Sequence, residues 1–181
     1  MEHLNELKVL MQSVVKDMYH AEKYCKSYMT KAQKIGLQGE KRRFRYESTK
    51  YHNIINYFEC DFYDLYGVDI VMQHEEPVIP TVTGVSDFCK KVLQYFEMQF
   101  SKYHSSANAL VLKNAKHYAG LLYDKCDCIA EYIKEYRRII MEGDAVGWSD
   151  AYIQRLMLHE TTWCNTHDAF EDKEKSVGYD F

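Results

Sequence analysis

The chain has 181 residues, of which 46% are hydrophobic and 28% charged, with a formal net charge of −4. That mix suits one soluble domain around a single core, and the acidic balance argues against a general nucleic-acid binder. No apolar run approaches the roughly 20 residues that a membrane span needs. The opening Met1-Glu2-His3-Leu4-Asn5-Glu6 lacks the basic start and apolar core of a signal peptide, so a cytoplasmic protein is expected.

The first helix declares itself by a stripe. Leu4, Leu7, Met11, Val14, Met18, Ala21, Cys25, Tyr28, Ala32 and Ile35 recur at alternating spacings of three and four, the pattern of one helix face against a core. Val15 and Met29 widen the stripe into the broader face of a bundle helix. Gly36 follows as a terminator. A second helix is expected after Gly39, with Phe44, Tyr51, Ile55, Phe58, Phe62 and Leu65 as its stripe and an end near Tyr66-Gly67. The loop Gly36 to Gly39 is so short that the two helices must be antiparallel neighbours. Within this stretch, Lys41, Arg42, Arg43 and Arg45 read as a solvated helix start, and the carboxylates between Glu47 and Asp64 as a solvated face.

Gly67 to Gly84 holds the chain's two prolines, Pro77 and Pro80, among β-branched residues. Both features favour extended chain. A short β-hairpin is one reading. The other is a stretched crossover: about 18 residues at roughly 3.3 Å each reach nearly 60 Å, whereas a 25-residue helix is only about 38 Å long. The connector is therefore long enough to run the length of a bundle.

A third helix is expected from a Ser86 or Asp87 N-cap, carrying Phe88, Cys89, Val92, Phe96, Phe100 and Tyr103. Ser105-Ser106-Ala107-Asn108 is rich in residues that prefer caps and turns, and a break is placed there. A fourth helix carries Ala115, Ala119, Leu122, Cys126, Ile129, Ile133, Tyr136 and Ile140 and ends near Glu142-Gly143. A short fifth helix follows a Ser149-Asp150 cap. The expected architecture is all-α: a four-helix bundle of two hairpins with a long crossover between helices 2 and 3, plus a short C-terminal helix. The bundle domain is read as residues 1–170, and 171–181 as a charged tail.

Six cysteines, Cys25, Cys60, Cys89, Cys126, Cys128 and Cys164, contain no Cys-x-x-Cys. Cys126 and Cys128, two apart on a helix, point in different directions. Cysteines scattered through apolar stripes act as small hydrophobes, and reduced thiols fit an intracellular protein. The sixteen tyrosines have two readings: a core and rim built with aromatics, or an adhesive binding surface.

Two helical hairpins joined by a long crossover, together with Asp17-Met18-Tyr19-His20-Ala21-Glu22-Lys23-Tyr24, resemble the ferritin-like superfamily over residues 1 to about 142. The resemblance implies a metal ligand at the first-helix glutamate, Glu22, and Glu-x-x-His motifs on the second and fourth helices. His52 and His117 fall where those histidines would stand; Thr49 and Asn114 replace the glutamates. Counting outward from loop centres at 37 and 107 puts Glu22 level with His52 and Glu97 level with His117. With the two loops at opposite ends, all four share one layer of a bundle about 38 Å long. At 100° per residue, Glu22 lies about 70° from the centre of its stripe and the other three about 100°. They flank the core, and His20, about 130° off, belongs to the surface. Two glutamates and two histidines suit one ion of iron, manganese or zinc; the competing reading makes them rim residues of a bundle without a site.

Weaker constellations add little. His159-Glu160 and His167-Asp168 resemble metal phosphohydrolases of the HD type without their further ligands. The carboxylates from Glu47 to Asp64 lack the Glu-x-x-Glu pair of helical nucleotide pyrophosphatases. Neither a phosphate loop nor a Gly-x-Ser-x-Gly elbow is present. Two functions remain: a non-catalytic bundle that binds a protein partner or another copy, serving as an inhibitor, adaptor or assembly subunit, and a ferritin-like metal protein with a redox or storage role.

Overall fold

The computed structural model describes residues 2–157. Four long helices carry the fold: α1 (Glu2–Lys34), α2 (Gln38–Tyr66), α3 (Val85–Leu112) and α4 (Lys116–Ala145). A fifth, α5, occupies 150–157. The expected tail, the domain limit at 170, Cys164 and the two histidine pairs beyond 158 lie outside the described residues.

The helix order follows from who meets whom. Asp17 of α1 lies 3.5 Å from Lys102 of α3, Cys25 lies 3.6 Å from the Tyr95 hydroxyl, and Glu6 pairs with Lys113. Numbers fall on one helix as they rise on the other, so α1 and α3 are antiparallel. The same holds for α2 and α4, where Arg43 meets Glu135 at 2.9 Å and Asp61 accepts the Tyr118 hydroxyl at 2.7 Å. Hence α1 and α4 run one way and α2 and α3 the other. The crossover makes this order possible. No strand forms in it; it climbs along α1, where Tyr19 donates to Glu76 (2.9 Å), His20 contacts the Glu75 carbonyl (2.9 Å) and Tyr24 donates to the Val78 carbonyl (3.0 Å). His20, expected on the open surface, is thus half-covered by the connector.

Chain reversals use local chemistry. Gly67 ends α2 at φ 64°, a left-handed conformation natural to glycine, and its N–H donates to the Tyr63 carbonyl at 2.7 Å. At the start of α3 the expected cap is displaced: Gly84 precedes the helix, and Asp87 instead accepts the Thr83 N–H at 2.9 Å. The expected break at Ser105–Asn108 does not occur. The apolar stripe runs on through Tyr103, Ala107 and Leu110, all fully buried, while Ser105 and Asn108 stand outward and leave the helix ladder intact. The turn comes later, at Lys113–Ala115, with Asn114 at φ 60°, one of the few residue types that tolerates it. α4 ends at Ala145, just past the expected Gly143.

The core is aromatic at both ends. Towards the α1–α2 turn, Phe44 packs on Tyr28 (5.4 Å between rings), Phe88 (6.2 Å, edge-on) and Phe96 (6.0 Å, stacked). Towards the α3–α4 turn, Tyr118 meets Phe58 at 5.3 Å and Phe62 at 6.3 Å. Burial on this scale is the main stabilising term, about 1.5–3 kcal/mol for each large apolar side chain. Leu65, expected in the α2 stripe, is 56% exposed because α2 is about to end beyond the core. No described helix is long and apolar enough to cross a membrane.

Candidate functional site

Of the four sequence candidates, the structure brings two together. Glu22 is buried on α1, takes a 2.5 Å ion pair from Lys26 one turn later, and lies 3.7 Å from Nδ1 of the exposed His52 on α2. Glu97 instead pairs with Arg137 across the outer α3–α4 seam at 2.8 Å. His117 stands at the start of α4, 3.5 Å from Asp61 and against the Tyr118 ring at 3.8 Å. The displaced α3–α4 turn explains the separation. With the reversal at Asn114 rather than 107, His117 is three residues from the turn and far along the bundle from Glu97. Among the described residues, no three His, Cys, Asp or Glu side chains form a group that could hold a metal ion.

The middle of the bundle holds a different constellation. Glu47 on α2 and Lys125 on α4 are both buried and form an ion pair; Tyr132 donates to the other Glu47 oxygen at 2.9 Å, and the Lys125 ammonium lies 4.5 Å over the Tyr51 ring. Burial alone would raise the Glu47 carboxyl. The Lys125 charge, with hydrogen bonds from Lys125 and Tyr132, outweighs that and holds it below the usual carboxylate range. Burial pushes the neighbouring Cys25 thiol up to about 12, with the Glu47 charge adding to it, so this cysteine is a poor nucleophile. The buried Gln99 Oε1 has no hydrogen-bond partner among the described residues.

One turn or two above lies a second buried network. Arg43, 1% exposed, reaches Glu135 at 2.9 Å and Glu40 at 3.5 Å, and stacks over Tyr132 at 4.9 Å. Tyr136 donates to Glu40. Burial works against the Arg43 charge, yet Glu40 and Glu135 raise its proton affinity above that of ordinary arginine. The two networks share Tyr132 and make the middle of the α2–α4 contact polar, while α1 and α3 meet around Tyr95, whose hydroxyl lies against Cys25 and the Ala21 carbonyl.

Both networks correct the sequence reading. Arg43 belongs to no solvated start, and Glu47 to no solvated face. The signal was the heptad itself: stepping back from Phe58 and Tyr51 by threes and fours lands on Glu47, Phe44 and Glu40. Lys125 likewise lies three residues after Leu122 and four before Ile129. Chemically, the centre is a set of matched charges capped by phenols, suited to fixing one helix arrangement rather than to holding a substrate.

The pair gives a signed acid response. A carboxyl whose folded pKa is depressed stabilises above its unfolded value, about 4.3 for Glu, and loses that contribution as pH falls through the folded value. Urea midpoints measured from pH 7 to 3 are expected to hold steady to about pH 5 and then drop. Glu47→Gln is expected to flatten that drop.

No family model matches the chain, and no curated protein matches it either.

Proposed function

We propose that the chain is a non-catalytic helical bundle that acts by binding another protein, as an inhibitor, adaptor or assembly subunit. The observation that carries this reading is the distribution of exposed apolar side chains. Eight of the twelve large ones among the described residues (Val9, Tyr63, Leu65, Tyr66, Val71, Met72, Val111 and Leu112) belong to the half of the bundle where α1 begins and α2 and α3 end. Tyr63 is 58% and Leu112 84% exposed. Apolar side chains left exposed in number at one end of a fold support an interaction site there. The tyrosines as a class support the reading less than their number suggested, since twelve of the fifteen among the described residues lie in the core or pack against it, while Tyr63 and Tyr66 are exposed.

Tyr63→Ser/Leu65→Ser/Leu112→Ser tests it. Such surface changes move stability by about 0.5 kcal/mol or less each. The expected result is crosslinked partners recovered with the wild-type chain in cells and lost with the variant, at unchanged melting temperature. Recovery of the same partners with both chains overturns the reading.

A second reading, the ferritin-like metal protein, draws support from the helix order and from the Glu22–His52 contact. The residues at the bundle centre do not fit a metal. An ammonium, which has no lone pair to give, already neutralises the central carboxylate. Elemental analysis of purified protein separates the readings: stoichiometric iron, manganese or zinc that is lost in Glu22→Ala/His52→Ala would favour the metal protein.

A further inference from the structure

Not one lysine or arginine occurs between Lys50 and Lys90, while Glu59, Asp61, Asp64, Asp69, Glu75, Glu76 and Asp87 all fall there. Three of these seven carboxylates are matched locally. Asp61 faces Tyr118 and His117, Glu76 faces Lys23 and Tyr19, and Asp87 faces Lys91; Glu75 meets His20 through its backbone carbonyl. Glu59, Asp64 and Asp69 have no ion pair among the described residues. Burial first, and the nearby Asp69 second, raise the Glu59 carboxyl above its ordinary range.

Their position sharpens the mismatch. The last turn of α2 contains no basic residue, although a helix C-terminus carries partial negative charge and favours cations. The same turns expose apolar surface: Tyr63 lies one turn beyond Glu59, Tyr66 follows on, and Val71 stands 60% exposed on the first stretch of the connector. Carboxylates on the same turns as an exposed phenol such as Tyr63 suit a guanidinium or ammonium, which pairs with the first and stacks on the second.

Resting on the protein-binding reading above, we propose that the C-terminal end of α2 and the start of the connector form the docking surface for a cationic amphipathic segment of the partner. Arginine or lysine side chains of that segment engage Glu59, Asp64 and Asp69, and its apolar face covers Tyr63, Tyr66 and Val71. The partner's charge supplies what the helix terminus lacks.

The probe is a labelled 18-residue amphipathic peptide with leucine on one face and arginine on the other, titrated with the full chain and followed by fluorescence anisotropy. A matched peptide carrying glutamate in place of arginine is the control. Saturable binding of the arginine peptide is expected, weakened at least tenfold between 50 and 500 mM salt, with no binding of the glutamate peptide. Asp64→Lys/Asp69→Asn is expected to weaken it at least tenfold; the asparagine keeps the oxygen that accepts the Val71 N–H at 2.8 Å, and circular dichroism confirms the fold. Equal binding of both peptides, or variant affinity within twofold of wild type, overturns the proposal. So does a salt-sensitive dimer in sedimentation velocity that is lost in this variant, which would assign the surface to a second copy. If the serine variant above loses its cellular partners while the charge variant keeps them, protein binding stands and the cationic partner falls. If both keep them, both ideas fall.

Discussion

Lys125→Met is expected to destabilise the bundle by about 3–5 kcal/mol, because it leaves the Glu47 carboxylate buried without a counter-charge. Both side chains are almost fully covered, at 6% and 3% exposure, so water cannot take over the lost role. The remaining partner, the Tyr132 hydroxyl at 2.9 Å, is one neutral donor against a full charge. The variant should recover part of the loss by taking up a proton: burial, the largest influence, then outweighs the Tyr132 hydrogen bond and the Lys50 charge that remain and moves the Glu47 carboxyl upward. Its stability should therefore rise as pH falls towards 5, a range over which wild type holds steady. Lys125→Met/Glu47→Leu removes both charges and is expected to restore most of the loss, since well-packed apolar replacements of buried pairs are often neutral or better. Urea denaturation of the two single variants and the double variant gives the coupling energy. A double variant as unstable as Lys125→Met would show that Tyr132 and Tyr51, not the charge, set the cost.

The same residues show where sequence reasoning reaches. The α1 stripe from Leu7 to Ala32 was legible because every position on it is apolar, and periodicity of 3.6 needs no other information. The crossover was legible because prolines and β-branched residues cluster nowhere else. Arg43 and Glu47 were misplaced, and Glu40 and Lys125 missed, because a charged residue is normally outside, and the rule fails where opposite charges on two helices meet. That meeting depends on the register of α2 against α4, a property of two distant segments. The α3–α4 turn failed for a related reason. Ser105 and Asn108 favour turns in isolation, but Ala107 and Leu110 continue the buried stripe, and packing outweighs about 0.5 kcal/mol per residue of local preference. The misplaced turn then carried Glu97 and His117 into a common layer that the bundle does not have.

Phe44→Ala is expected to cost about 3–5 kcal/mol, and its position explains why the loss should be global. Phe44 is fully buried on α2 and touches rings from α1 (Tyr28) and α3 (Phe88 and Phe96). It therefore joins the first hairpin to the second at the end opposite the half that exposes most of the large apolar side chains. Its rings meet edge-on and stacked, arrangements that add about 0.5–1.5 kcal/mol beyond area burial. The flanking positions on α2, Arg43 and Glu47, belong to the two charge networks, so a cavity at 44 also loosens the α2–α4 register that holds those charges together. Phe44→Leu, which keeps most of the volume, should lose roughly a third as much, near 1–1.5 kcal/mol. Thermal unfolding followed by tyrosine absorbance and by circular dichroism should fall together, in one transition, for both variants. Separate transitions, with helix content outlasting tyrosine burial, would mean that the hairpins part before they unfold and that the charge networks, rather than the aromatic joint, carry the cooperativity.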